Sequence, residues 1–125
     1  MADAIKKPKS YRELIVWQKS MELVRTTYRL AETLPRKELF GLSAQSRRAA
    51  VSIPANIAEG FGRWHRKEYV HHLRITNGSL KELETHLLIG ESLDYLQHSQ
   101  VTTALEETAE IGRMLFVLIK KLEIN

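Results

Sequence analysis

Cysteine is absent from this 125-residue chain, which removes disulfides, thiolate-held zinc or iron–sulfur clusters and a cysteine nucleophile together. Breakers are scarce as well. The 6 glycines and 3 prolines leave room for long uninterrupted elements and argue against many short strands joined by tight turns. No long apolar run occurs either: the most hydrophobic stretch, Ile111 to Ile119, contains Gly112 and Arg113 and falls far short of the roughly 20 residues that span a bilayer. The N-terminal MADAIKKPKS carries lysines with no apolar segment behind them, so it does not read as a secretory signal, and a cytoplasmic protein with no membrane partner is expected.

What is present is the material of a folded helical domain. Hydrophobic residues make up 43% and charged residues 27% of the chain, an ordinary globular balance at a length that supports one core. The net charge of +4 is unevenly distributed. Residues 1 to 74 hold 15 Lys/Arg against 7 Asp/Glu, and residues 75 to 125 hold 4 against 8. A basic portion followed by an acidic one suits either a polyanionic partner or a contact between unlike faces of two subunits.

Periodicity divides the chain into a mobile basic tail, residues 1 to 10, and a single four-helix domain, residues 11 to 125. Leu14, Trp17, Met21, Val24, Tyr28 and Ala31 recur at alternating spacings of three and four, which predicts a first helix from Tyr11 to Thr33 with these residues as its seam. Pro35 ends it. A second helix is predicted over Leu42 to Phe61, with Ser43 as candidate N-cap, a kink at Pro54, and small residues suited to close packing. Tyr69, Leu73, Thr76, Leu80, Leu83, Leu87 and Gly90 mark a third helix from Arg66 to Ser92, in which Gly78 is expected to admit the small face of the second. Val101, Leu105, Thr108, Gly112, Leu115, Ile119 and Leu122 mark the fourth. Short links between four such helices predict an all-α, antiparallel up-down-up-down bundle. The fourth helix is apolar around most of its circumference. Ile111, Met114, Phe116, Val117 and Leu118 are therefore assigned to a self-association surface.

No residue pattern calls for catalysis, a metal or a cofactor. Glu68 and His71 form one E-x-x-H pair where a di-metal bundle needs two, and no nucleophile elbow or phosphate-cradling loop occurs. A polar stripe on the second helix, Arg48, Ser52, Asn56, Glu59 and Arg63, admits two readings. Arg47, Arg48, Arg63, Arg66 and Lys67, with Lys6, Lys7 and Lys9 of the tail, form a phosphate-contacting surface beside Trp64 or His65. Alternatively, Arg48, Ser52, Asn56 and Glu59 form a hydrogen-bonded network that fixes helix register.

The strings LIVWQKSMELV, LPRKELFGLSAQSRRAAVSIPANIAEGFGR and YVHHLRITNGSLKELETHL resemble the 23S ribosomal RNA intervening sequence proteins, also called S23 ribosomal proteins, over about Tyr11 to Leu96. The resemblance implies a bacterial cytoplasmic four-helix bundle similar to the accessory variability determinant of diversity-generating retroelements, a basic homopentamer that associates with nucleic acid and a reverse transcriptase. On that footing the expectation is a non-enzymatic homo-oligomer, a pentamer, that binds RNA or DNA. The alternative is a scaffold for a protein partner.

Overall fold

Ser10 sets the start of the ordered path. Its Oγ accepts the Arg12 N–H at 3.1 Å, closing a one-turn 3-10 helix at Tyr11–Glu13. Leu14 is then extended, at φ −74° and ψ 125°, so that α1 begins only at Ile15. The predicted start at Tyr11 is thus corrected by one turn of tighter helix and a break. In the computed structural model, which describes residues 7–124, four α-helices follow: α1 Ile15–Glu32, α2 Leu42–Phe61, α3 Arg66–Ser92 and α4 His98–Ile124. There is no strand among the described residues, and no helix there is long and apolar enough to cross a membrane.

Cross-helix bonds give the direction of each neighbour. Ser43 Oγ donates to Ala31 O at 3.2 Å, and the Arg47 guanidinium lies 5.8 Å from the centre of the Tyr28 ring, so α2 descends beside α1. Ser52 and Ser79 pair at 2.8 Å, while Gly60 meets Tyr69 and His72; α3 therefore ascends beside α2. Thr108 donates to Glu84 at 2.7 Å, and Arg74 pairs with Glu123. Lys19 lies 3.7 Å from Glu110, and Thr26 bonds Glu107. The result is an antiparallel up-down-up-down four-helix bundle in which each helix packs along its two neighbours.

The core combines Leu23, Ile53, Ile57, Leu73, Leu80, Leu83, Ile111 and Leu115, all fully buried. In α1 the buried line is Val16, Ser20, Leu23, Thr27 and Ala31, one step away from the predicted seam. Tyr28, expected inside, is exposed. Small hydroxyl residues make the shift affordable, because Ser20 and Thr27 donate to Val16 O at 2.7 Å and Leu23 O at 2.8 Å. Their polarity is absorbed by the helix itself, leaving Trp17, Met21 and Val24 half-buried at the margin.

Ser43 is buried and donates to Ala31 O instead of capping α2. The cap comes from Glu38, whose Oε1 accepts the Leu42 N–H at 3.0 Å, and a carboxylate also suits the positive end of the helix dipole. Helix α2 runs unbroken across buried Pro54. Gly78 is exposed, with nothing within 4 Å of where a Cβ would sit, so it does not receive α2; Gly60 is the close-approach glycine. Ile111 is likewise corrected. At 1% exposure it belongs to the core, on the inward line Ala104, Thr108, Ile111, Leu115.

Candidate functional site

The turn between α2 and α3 is built around Gly60. A Cβ there would come within 2.7 Å of His72 Cβ and 3.1 Å of Tyr69 Cδ1, so hydrogen in place of a side chain is what lets the two helices close. Phe61 and Tyr69 seal the corner edge to face at 6.0 Å. Burial pushes the Tyr69 phenol up to about 12, which keeps it neutral at ordinary pH. Main-chain bonds from Gly62 N–H to Ala58 O and from Arg63 N–H to Gly60 O, both 3.1 Å, end α2.

With its inner side filled by Tyr69, the turn presents Arg63, Trp64, His65, Arg66 and Lys67 outward, all exposed. Trp64 is 96% exposed, an unusual position for the largest apolar side chain. Its neighbour Arg63 is held between two carboxylates, 2.9 Å from Glu59 and 3.6 Å from Glu68. Part of the local positive charge is therefore already answered within the chain.

The bundle topology collects further cations at this end. The start of α1 lies beside the end of α2, with the 3-10 turn packed on α2, which carries exposed Lys7 and Lys9 toward the corner. Lys6 lies outside the described residues. The end of α4 arrives at the start of α3, where Arg66, Lys67, Val70, Leu122 and Glu123 line a shared hollow. Lys120 and Lys121 come with it, and sequence reasoning did not include them because they are separated in the chain by a whole helix.

Arg47 and Arg48 are not brought to this end. They lie 13 or 14 residues before the end of α2 at Phe61, a distance of about 20 Å at 1.5 Å per residue, and Arg63 follows beyond that end. Arg47 sits over Tyr28, while Arg48 is exposed and shares no hydrogen bond or ion pair with Ser52, Asn56 or Glu59.

The other three stripe residues do connect, through α3. Asn56 Nδ2 donates to Ser52 O at 2.9 Å and to Ser52 Oγ at 3.0 Å, and Ser52 Oγ meets Ser79 Oγ. Asn56 Oδ1 lies 3.2 Å from His72 Nδ1, which places the ring proton on that nitrogen. His72 Nε2 is 3.8 Å from Glu59. A polar ladder thus runs along the α2–α3 seam, with His72 and Ser79 in the place anticipated for Arg48. Ser52, Asn56, His72 and Ser79 each find a polar partner there.

The apolar residues assigned to α4 separate into different directions. Met114, Val117 and Leu118 join Ile15 and Val16 around a shallow hollow between α1 and α4. Phe116 points to the opposite seam, between α3 and α4. Ile111 faces inward.

A family model described as 23S rRNA-intervening sequence protein matches residues 12–117. The crystal structure of a protein of unknown function from the S23 ribosomal protein family of Bacteroides thetaiotaomicron has the same fold, with a TM-score of 0.79 and 27% sequence identity. The similarity covers 85% of this chain and 99% of that one. No match is found among curated proteins.

Proposed function

The chain belongs to the 23S rRNA-intervening sequence protein family, and from that premise we propose that it is a non-enzymatic, self-associating protein that holds RNA or DNA on the basic end of its bundle. The observation that carries this reading is Trp64, 96% exposed between Arg63 and the cations of the α3 start. An aromatic ring held in water among cations provides a stacking surface for a base, and the cations meet the phosphates on either side. Lys7, Lys9, Arg66 and Lys67 supply that charge. Arg63, held by Glu59 and Glu68, serves mainly to fix the turn.

Self-association would use the hollow flanked by Ile15, Val117 and Leu118, leaving the basic end free.

Fluorescence anisotropy with mixed-sequence RNA and DNA oligonucleotides tests the reading. Binding should be detectable at low salt and should weaken steeply as salt rises, since bound phosphates release counterions. Trp64→Ala should weaken it by about 1–3 kcal/mol if one base stacks there, and Lys67→Ala should reduce the salt slope by about 1. Absence of binding at low salt, or affinity indifferent to salt, would rule the reading out.

A further inference from the structure

Along the outer seam of α3 and α4, two hollows of about 370 and 590 Å³ share Asn77, Gly112 and Phe116. Phe116 is 63% exposed there, although nothing in the chain's chemistry requires a phenyl ring in water. Gly112 keeps the floor low, and a Cβ on it would meet only Leu80 Cδ2, at an ordinary 3.6 Å. Packing within this chain does not demand a glycine at position 112, and its hydrogen leaves room for something to approach.

The walls of this groove are cationic at a regular interval. On α3, Arg74 and Lys81 stand seven residues apart; on α4, Arg113 and Lys120 do the same. Seven residues of helix correspond to about 10.5 Å and return nearly to the same face. Two carboxylates interrupt the charge, Glu123 paired with Arg74 and Glu84 at 3.2 Å from Lys81. The Lys120 ammonium lies 5.4 Å from the Phe116 ring centre. The seam therefore offers an apolar, low-floored track between two rows of positive charge in helical register.

We infer that this groove receives an acidic amphipathic helix from a partner protein. Apolar residues at the a and d positions of such a helix fill the hollows against Phe116, and carboxylates at e and g meet the heptad-spaced cations. A nucleic-acid strand fits less well, because successive bases need successive stacking partners and Phe116 is the one aromatic residue lining these hollows. A second copy of this chain also fits less well. Its acidic turn on α4, Glu106, Glu107 and Glu110, is accompanied by Thr102, Thr103 and Ala109 and offers no large exposed apolar residue.

The test uses the full chain and two 21-residue helix-forming probes with Leu at a and d, one carrying Glu and the other Lys at e and g, each below its own self-association concentration. The Glu probe should bind at least tenfold more tightly than the Lys probe and should protect backbone amides between Gly112 and Lys120 from exchange. Phe116→Ala should weaken the Glu probe at least tenfold. The paired change Arg113→Glu with Lys120→Glu should reverse the preference, and that rescue of the Lys probe separates docking from damage to the fold. Equal affinity for the two probes, a preference unmoved by the charge reversal, protection elsewhere on the bundle, or displacement of the Glu probe from this groove by an oligonucleotide would overturn the proposal.

Discussion

Beneath α1, the Glu107 carboxylate accepts the Thr26 hydroxyl at 3.1 Å to each oxygen. Burial raises its pKa above the ordinary glutamate value; Glu22 adds to that, while the Thr26 bond, Arg29 and Lys19 oppose it. A folded-state pKa above the unfolded one means that the folded chain holds this proton more tightly. The resulting stabilisation is full in acid and is lost as pH rises through the folded pKa. Glu107→Gln keeps an acceptor for Thr26 and removes the titration. Relative to the wild type, the variant should therefore gain stability between about pH 4 and neutral, as read by urea unfolding at both ends. A difference that stays flat across that range would contradict the burial argument.

Other single residues show where reading by hydropathy stops. Thr76 and Thr108 were placed in the core because their spacing demanded it, whereas Ser20, Thr27 and His86 are equally part of the interior and break the apolar pattern. The hydroxyls carry their own solution, an intrahelical carbonyl, which a pattern of apolar residues does not register.

Among the elements, α2 and α3 were legible to the residue, since a small-residue run between Gly41 and Gly62 and an unbroken heptad series fix their limits. The α1 start was not, because Tyr11–Glu13 continues the helical spacing while Leu14 departs from helical geometry. Glycine was the other difficulty: sequence marks where one occurs but not what approaches it. Gly60 is crowded by His72 and Gly78 by nothing. Gly60→Ala should thus cost about 1–3 kcal/mol through forced separation of α2 and α3, whereas Gly78→Ala should stabilise the free chain by up to about 1 kcal/mol through helix propensity. Denaturant melts of the two variants check both signs; an equal effect would mean that the close approach at Gly60 is not limiting.

At the scale of the molecule, the architecture and its family were open to the sequence, and the grouping of its charges was not. Arg47 lies in the first turns of α2 and Arg63 just past its end, at opposite ends of the bundle, whereas Lys67 and Lys121 lie far apart in the chain yet on elements that meet at one end. The proposed self-association surface belongs to this scale. Val117 is 53% exposed beside Ile15, and Val117→Asp there should convert a larger species to one near the 14.4 kDa chain mass with unchanged helix content. Light scattering alongside circular dichroism reads the two together, and a wild-type chain that scatters as a monomer at tens of micromolar would refute the surface.

The even number of antiparallel helices has a practical side. The start of α1 and the last turn of α4 lie at the same end of the bundle as the α2–α3 turn, while the link Leu34–Gly41, with its outward Phe40, lies at the opposite pole. A group carried on the end of α4 is therefore held at the end of the bundle proposed to take nucleic acid. A reporter, affinity handle or surface tether inserted in the distant link would leave that corner unobstructed, so where the protein is held decides what an assay of it can see.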